Sequence, residues 1–186
     1  MVGDASGHGM AAGLLMAIAN ATIKLAVELD PAPPRVLTLL NQALCKTGDK
    51  RAFMSIFYAL LDLDTGTLEY TSAGHPFPLL RRAGGEVEEL GKGGLPLGLR
   101  RDLDWQSEEI RLGVGDILVL YSDGLPEGLD RSGNPFGYER LRSLVTDPGT
   151  PYAIHERILL DFDDHLGEQP LEDDFSLVVL GRRADG

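Results

Sequence analysis

Three carboxylate positions carry chemical promise, because each falls where an apolar run meets a loop. Asp4 lies in Val2-Gly3-Asp4-Ala5, just ahead of the glycine-rich Gly7-His8-Gly9. Asp123 follows Ile117-Leu118-Val119-Leu120-Tyr121 and precedes Gly124. Asp173 and Asp174 come directly before the apolar stretch Ser176–Leu180. An Asp at a strand end, next to glycine, projects into a cleft without strain. Carboxylates converging from separate strand ends repel one another unless cations neutralise them or one is protonated. An all-oxygen ligand set suits hard ions such as Mg²⁺ or Mn²⁺. Two such ions about 3.5–4 Å apart can activate a water and clamp a phosphoryl group. Taken singly, each Asp has a plainer reading: Asp4 in a helix-cap region, Asp123 as a turn former, Asp173 as a loop residue. His8 and His75 can ligate metal or move protons, but their flanking glycines favour a backbone reason: hydrogen bonds that fix the loops. His155 and His165 fall on a helix with no assigned role, and Cys45 reads as a buried helix residue.

The elements that must position these groups are legible from pattern. Met10 to Leu29 is rich in Ala, Leu, Met and Ile and predicts a helix, apolar almost all round to Lys24 and so well buried. Asp30-Pro31-Ala32-Pro33-Pro34 stops it and opens a second helix, Arg35 to Lys46, with Val36, Leu39, Leu40 and Ala43 on one face, ended by Thr47-Gly48-Asp49. Met54–Asp62 and Thr67–Ser72 predict a hairpin around Asp62-Leu63-Asp64-Thr65-Gly66. Short strands follow near Pro78–Arg82 and Glu86–Leu90, then a Gly/Pro-rich loop over 91–98 and a weak edge strand over Trp105–Arg111. Ile117–Tyr121 is suited to a central buried strand. Helices are expected over Gly137–Val145 and Pro151–Leu166, an acidic loop over Gly167–Asp174, a final buried strand over Ser176–Leu180, and a polar tail from Arg182. The expectation is one α+β domain spanning residues 1–186, its strands paired in antiparallel hairpins with helices outside.

Composition sets the limits. The chain has 186 residues, enough to bury a real core, with 17 Lys and Arg against 29 Asp and Glu, a formal net charge of −12. A surface this acidic is a poor match for phosphate backbones, so no nucleic acid is expected. No apolar run approaches the roughly 20 residues of a membrane span, so no membrane insertion is expected. A single cysteine excludes an internal disulfide framework and any multi-cysteine zinc site, and a cytoplasmic location is the simplest expectation. The acidic excess reads mainly as solvated surface.

Taken in order, Gly3-Asp4-Ala5-Ser6-Gly7-His8-Gly9 before an Ala/Leu/Met-rich helix, Ser72-Ala73-Gly74-His75-Pro76, Tyr121-Ser122-Asp123-Gly124-Leu125 with Glu127, and Asp173-Asp174-Phe175-Ser176 resemble one family. It is the PPM superfamily of metal-dependent serine/threonine protein phosphatases, in its bacterial SpoIIE-like branch of sigma-factor regulators. The resemblance runs over nearly the whole chain. It implies an α-β-β-α sandwich of two antiparallel sheets flanked by helices, here lacking the first strands. It implies Mn²⁺ or Mg²⁺, two ions, with Asp4 bridging them, the Ala5 carbonyl as a further ligand, and Asp123 and Asp173 completing the set. His8, Gly124 and Asp174 would support those ligands, Asp174 also as an alternative ligand. A metal-activated water would attack phosphoserine or phosphothreonine without a phosphoenzyme intermediate. The expected substrate is a phosphorylated regulatory protein of the anti-anti-sigma type. A sensor or response-regulator domain is expected in the parent chain, and the apolar first helix leaves a face for a homodimer. The family's acidic residue upstream of the Gly-Asp loop is not in this sequence, and Pro126 and Gly128 depart from the usual Leu-Thr-Glu-Ala context. Two other readings compete: a catalytically inactive phosphatase-like module acting through protein binding, and a non-protein metallophosphoesterase, which should carry more histidine ligands.

Overall fold

The computed structural model describes residues 1–47, 52–171 and 173–183. The expected helix stop at Gly48–Asp49 and the end of the tail lie outside those residues. In chain order the elements are β1 (Val2–Ala5), α1 (Gly9–Leu29), α2 (Pro33–Cys45), β2 (Met54–Leu61), β3 (Thr67–Ala73), β4 (Leu79–Arg81), β5 (Val87–Glu89), β6 (Glu108–Arg111), β7 (Ile117–Tyr121), α3 (Tyr138–Thr146), α4 (Pro151–Leu166) and β8 (Leu177–Gly181). They form two compact units of interleaved segments, Met1–His75 with Gly91–Arg111, and Pro76–Leu90 with Leu112–Gly186. Each unit holds one four-stranded antiparallel sheet and two helices, so the expected class of antiparallel sheets with flanking helices is what the chain adopts.

In the first unit the sheet order is β1-β2-β3-β6. The β2–β3 hairpin runs from Ile56↔Ala73 to Leu61↔Leu68. Its turn is closed by Asp62, whose Oδ1 accepts from the Asp64 and Thr65 N–H groups at 2.9 Å each, an Asx arrangement. α2 opens on two prolines, which suit the first helical turn because its N–H groups lack intrahelical acceptors. It buries Val36, Leu37, Leu40 and Leu44 completely. The buried stripe is therefore centred one position away from the expected face, with Leu39 and Ala43 on its half-buried edge.

α1 departs from expectation. It buries Leu15, Ala19, Ile23 and Ala26, spaced for one helical face. Met10, Leu14 and Leu25 on other faces are 93%, 63% and 64% exposed. Apolar composition alone does not bury a helix; neighbouring elements do, and α2 and β1 pack against one side only. Contrary to the expectation from uninterrupted apolar runs, the 21 residues of α1 also meet, by length and composition, the requirement for a membrane crossing, because Asn20, Lys24 and Glu28 interrupt the run without making the helix polar on average. In this fold α1 follows a paired strand and contributes its inner stripe to the core of the unit.

In the second unit the order is β5-β4-β7-β8. All five residues of β7 are buried, as a central strand requires. β8 has one neighbour and leaves Val178 and Leu180 39% and 45% exposed, so it is a half-covered edge strand rather than the buried strand expected. Val119, Leu125, Leu141, Val145, Ile154 and Ile158 are fully buried and join β7 to α3 and α4. α4 starts on a Thr150 cap, whose Oγ1 accepts from the Ala153 N–H at 3.2 Å. The approach to β7 is organised by Asp116, 6% exposed. It accepts from Gly113 N–H, Ala83 N–H and the Arg82 guanidinium at 2.8, 2.9 and 2.9 Å. Burial pushes this carboxyl up, but those donors outweigh burial and hold it below its ordinary value.

Candidate functional site

Asp123 and Asp173 belong to the same unit and are brought to the same end of the β7–β8 pair. β7 ends at Tyr121, antiparallel to Leu177 at the start of β8. Ser122 extends that pairing: its N–H donates to the Ser176 carbonyl at 3.1 Å, and its Oγ accepts from the Ser176 N–H at 2.8 Å. The chain then turns sharply, with Leu125 N–H on the Ser122 carbonyl at 3.2 Å and Glu127 N–H on the Asp123 carbonyl at 2.9 Å. Leu125, fully buried, anchors that turn in the core. Each key carboxylate is fixed locally: Asp123 Oδ1 accepts from Gly124 N–H at 3.1 Å, and Asp173 Oδ1 from Asp174 N–H at 2.9 Å.

Gly124 explains how the two loops approach. A Cβ there would stand 2.4 Å from the Asp174 carbonyl oxygen and 3.1 Å from its carbon, closer than real contacts allow. Glycine is thus required by the opposing backbone, and Gly124 supports the site sterically. Asp174 contributes that backbone contact. Gly128 has a similar reason: a Cβ would lie 2.5 Å from the Phe162 ring. Its carbonyl accepts from Phe136 N–H at 2.9 Å and faces His165 Nε2 at 3.1 Å. Because Arg140 can only donate to His165 Nδ1, at 3.1 Å, the imidazole proton sits on Nε2 and is donated to Gly128. His165 therefore steadies the motif loop, a role the sequence did not signal. Phe162 packs edge-on to Phe136 and Phe175 at 5.2 and 5.1 Å, tying α4 to both loops.

Two phenols lie on the elements next to Asp123, Tyr121 at the end of β7 and Tyr138 at the start of α3. Burial first, then Tyr138 and Glu89, pushes the Tyr121 phenol well above its ordinary range. Burial first, then the Glu127 and Asp123 carboxylates, raises Tyr138 as well. Both stay protonated at neutral pH, so they are hydrogen-bond donors and not bases.

Asp4 lies in the other unit, on β1, in register with Ser55 of β2. Ala5 is buried beside it. A Cβ on Gly3 would meet the Ser55 carbonyl at 2.8 Å, so glycine lets the two strands close here. Ser55 Oγ pairs with His75 Nδ1 at 3.0 Å, and His75 is 4% exposed. His75 thus fixes its loop by hydrogen bonding, as expected. His8 does not match that expectation: it is exposed and begins α1 without a side-chain capping bond. Gly7 and Gly9 on either side have φ of 85° and 69°, so backbone conformation alone accounts for the glycines.

Among the described residues, neither unit by itself gathers three or more His, Cys, Asp or Glu side chains into a metal-holding cluster. Within the second unit the donor chemistry fits a hard divalent cation: carboxylate oxygens only, on two loops locked together through backbone contacts.

The sequence profile of the family described as Stage II sporulation protein E (SpoIIE) matches residues 1–183. Phosphoserine phosphatase RsbU of Bacillus subtilis (strain 168) is 32% identical over 98% of this chain and 55% of its own length. Phosphoserine phosphatase RsbP of the same organism is 22% identical over 95% of this chain and 44% of its length. The chain thus spans about half the length of these curated relatives. Among solved structures, the SiaA-PP2C domain of Pseudomonas aeruginosa superposes with a TM-score of 0.83 at 25% identity, covering 98% of this chain and 74% of that one. The PP2C phosphatase domain of SpoIIE from Bacillus subtilis, solved with a fragment of its regulatory domain, superposes at 0.74 with 19% identity, covering 95% and 52%.

Proposed function

Because the chain belongs to the SpoIIE family of PPM-type phosphatase domains, we propose that it hydrolyses phosphoserine or phosphothreonine on a regulatory protein, using divalent cations. The observation that carries this reading is the Asp123–Gly124 turn locked against Asp173–Asp174, a pair of strand-end carboxylates spaced by a glycine that no other residue can replace without displacement. Asp4, the Ala5 carbonyl, Asp123 and Asp173 are the proposed ligands for two Mn²⁺ or Mg²⁺ ions. Bound there, the ions would supply Lewis-acid stabilisation of a phosphoryl group and activation of water.

The chain's own residues do the rest. Gly124 N–H and Asp174 N–H each engage one oxygen of a carboxylate, Asp123 and Asp173, and leave the other available to a ligand. Ser122 and Ser176 hold the two strand ends in register. Tyr138, kept protonated, offers a donor beside Asp123. In the first unit, Ser55 and His75 brace the strand opposite Asp4.

In keeping with the resemblance to the SpoIIE-like branch of sigma-factor regulators, the substrate is proposed to be a phosphorylated anti-anti-sigma-type protein. The parent chain is proposed to carry a sensor or response-regulator domain, and the location is proposed to be cytoplasmic. The test is Mn²⁺-dependent phosphate release from a phosphoserine protein and from an aryl phosphate. Loss of both on Asp123→Asn, with an unchanged melting temperature, supports the reading. Equal rates in the variant and the parent protein would refute it. Phosphoprotein binding with no hydrolysis at saturating Mn²⁺ would support the inactive binding module instead.

A further inference from the structure

The second unit holds a surface that begins at the proposed ligand loops and extends beyond them. One cavity of about 280 Å³ opens beside the ligand loops and is walled by Gly124, Asp173 and Glu127 over an apolar base that includes Leu129. A second, of about 350 Å³, runs along α4 with Leu160 and Phe175 in its wall and Glu156 and Asp163 on its rim. The two share Leu166 and Leu171, so they form one continuous surface from the Asp123–Asp173 loops to the outer face of α4.

We propose that this surface docks the polypeptide flanking the substrate's phosphorylated residue, and that the flank it takes combines apolar side chains with Lys or Arg. The proposal rests on the phosphoprotein phosphatase reading of the adjoining carboxylates.

Two features choose the occupant. The floor is apolar and open: Leu160 is 66% exposed and Leu171 48%. Among the described residues lining both cavities, the ionisable groups beyond the proposed ligand Asp173 are all carboxylates, Glu127 in one and Glu156 and Asp163 in the other. Nearby arginines are committed elsewhere. Arg157 donates to the Leu144, Asp147 and Pro148 carbonyls, Arg140 binds Asp161, and Arg131 binds Glu168. An acidic flank would meet uncompensated like charge along this path, whereas a basic one meets complementary charge over an apolar floor. The aliphatic stems of Lys and Arg suit such a lining, because they cover apolar surface while the charged head reaches the rim.

The test uses the whole protein with Mn²⁺ and two phosphoserine peptides of equal length, one flanked by Leu and Arg, the other by Ser and Asp. An aryl phosphate, which has no flank, serves as the third probe. Expected is a KM about tenfold lower for the Leu/Arg peptide, with kcat similar. Asp163→Lys and Glu156→Lys should raise that KM and lower the KM for the Ser/Asp peptide, leaving aryl phosphate hydrolysis unchanged. Leu160→Ser should weaken only the Leu/Arg peptide. Equal KM for the two peptides, or charge-reversal variants that leave the preference intact, would overturn the docking surface. Peptide binding by fluorescence anisotropy separates the two readings. Preference for the Leu/Arg peptide without hydrolysis of any probe overturns the phosphatase reading and retains the surface. Hydrolysis of the aryl phosphate without any peptide preference does the reverse.

Discussion

Replacing Gly124 by Ala tests the geometry that holds the ligand loops together. The added Cβ would sit 2.4 Å from the Asp174 carbonyl oxygen, whereas ordinary contacts begin near 3.4 Å. The obstacle is backbone, so no rotamer change relieves it, and the Asp173–Asp174 loop must retreat from Asp123 by about 1 Å. Overpacking of this kind costs about 1–3 kcal/mol. At about 2–4 °C per kcal/mol for a chain this size, the melting temperature should fall by about 2–12 °C, leaving the protein folded at 25 °C. Function should suffer more than stability, since a displacement of about 1 Å among groups that must act together costs about 100-fold in rate. The assay is kcat/KM on an aryl phosphate across a Mn²⁺ titration, paired with thermal melts. Gly128→Ala is the comparison, because its added Cβ meets the Phe162 ring and not the loop that carries Asp173. Expected is a loss of about 100-fold and a higher Mn²⁺ requirement for Gly124→Ala, with a smaller activity loss for Gly128→Ala at comparable destabilisation. If Gly124→Ala keeps its rate and Mn²⁺ requirement within about threefold of the parent, the close approach does not position the carboxylates and the reasoning fails.

Asp116 should make stability fall in acid. Its folded pKa is depressed below an unfolded value of about 3.9, so its contribution is complete above that pH and is lost as pH falls through the folded value. The stability gap between the parent protein and Asp116→Asn, measured by urea unfolding, should therefore be widest at neutral pH and close as pH falls below about 4; a gap that widens in acid would contradict the assignment. Asn41→Ala should cost about 1–3 kcal/mol, because Asn41 is 1% exposed, accepts from Gly98 N–H at 2.8 Å and donates to the Arg100 carbonyl at 2.9 Å, and each of these hydrogen bonds is worth about 0.5–1.5 kcal/mol. Chemical denaturation reads this directly. Gly13→Ala should stabilise by about 0.5–1 kcal/mol, since Gly13 lies inside α1 with open space where a Cβ would stand; a lowered melting temperature would show that this face is covered in solution.

The parts of this molecule legible in the sequence are those where one residue's chemistry decides the outcome. The Asp62–Gly66 turn, the proline-initiated α2 and the all-apolar β7 follow from local rules, and the structure places each as expected. The candidate carboxylates were legible for the same reason: an Asp beside glycine at the end of an apolar strand is a local pattern. Burial was less legible, because it depends on what packs against a residue. α1 is apolar on faces that nothing in its unit covers, and β8 reads as a core strand but lies at an edge. The Gly/Pro-rich segment 91–98 shows the opposite case. By composition it is a solvent loop, yet Leu97 is fully buried, exchanges two backbone hydrogen bonds with Met54, and lies next to Pro96, which fills the space a Gly74 Cβ would take. His165 is the sharpest example. Nothing around it in the sequence distinguishes it from His155, and its role comes from Arg140, 25 residues away, and Gly128, 37 residues away. Arg140 sets its tautomer and Gly128 receives its proton, so its importance is a property of tertiary proximity. The same holds for Gly124. The sequence marks it as a turn glycine, but it is irreplaceable because the backbone of Asp174, 50 residues later, passes where its side chain would be. Motif residues can thus be found by pattern, whereas the reason each must be that residue lies in the element packed against it.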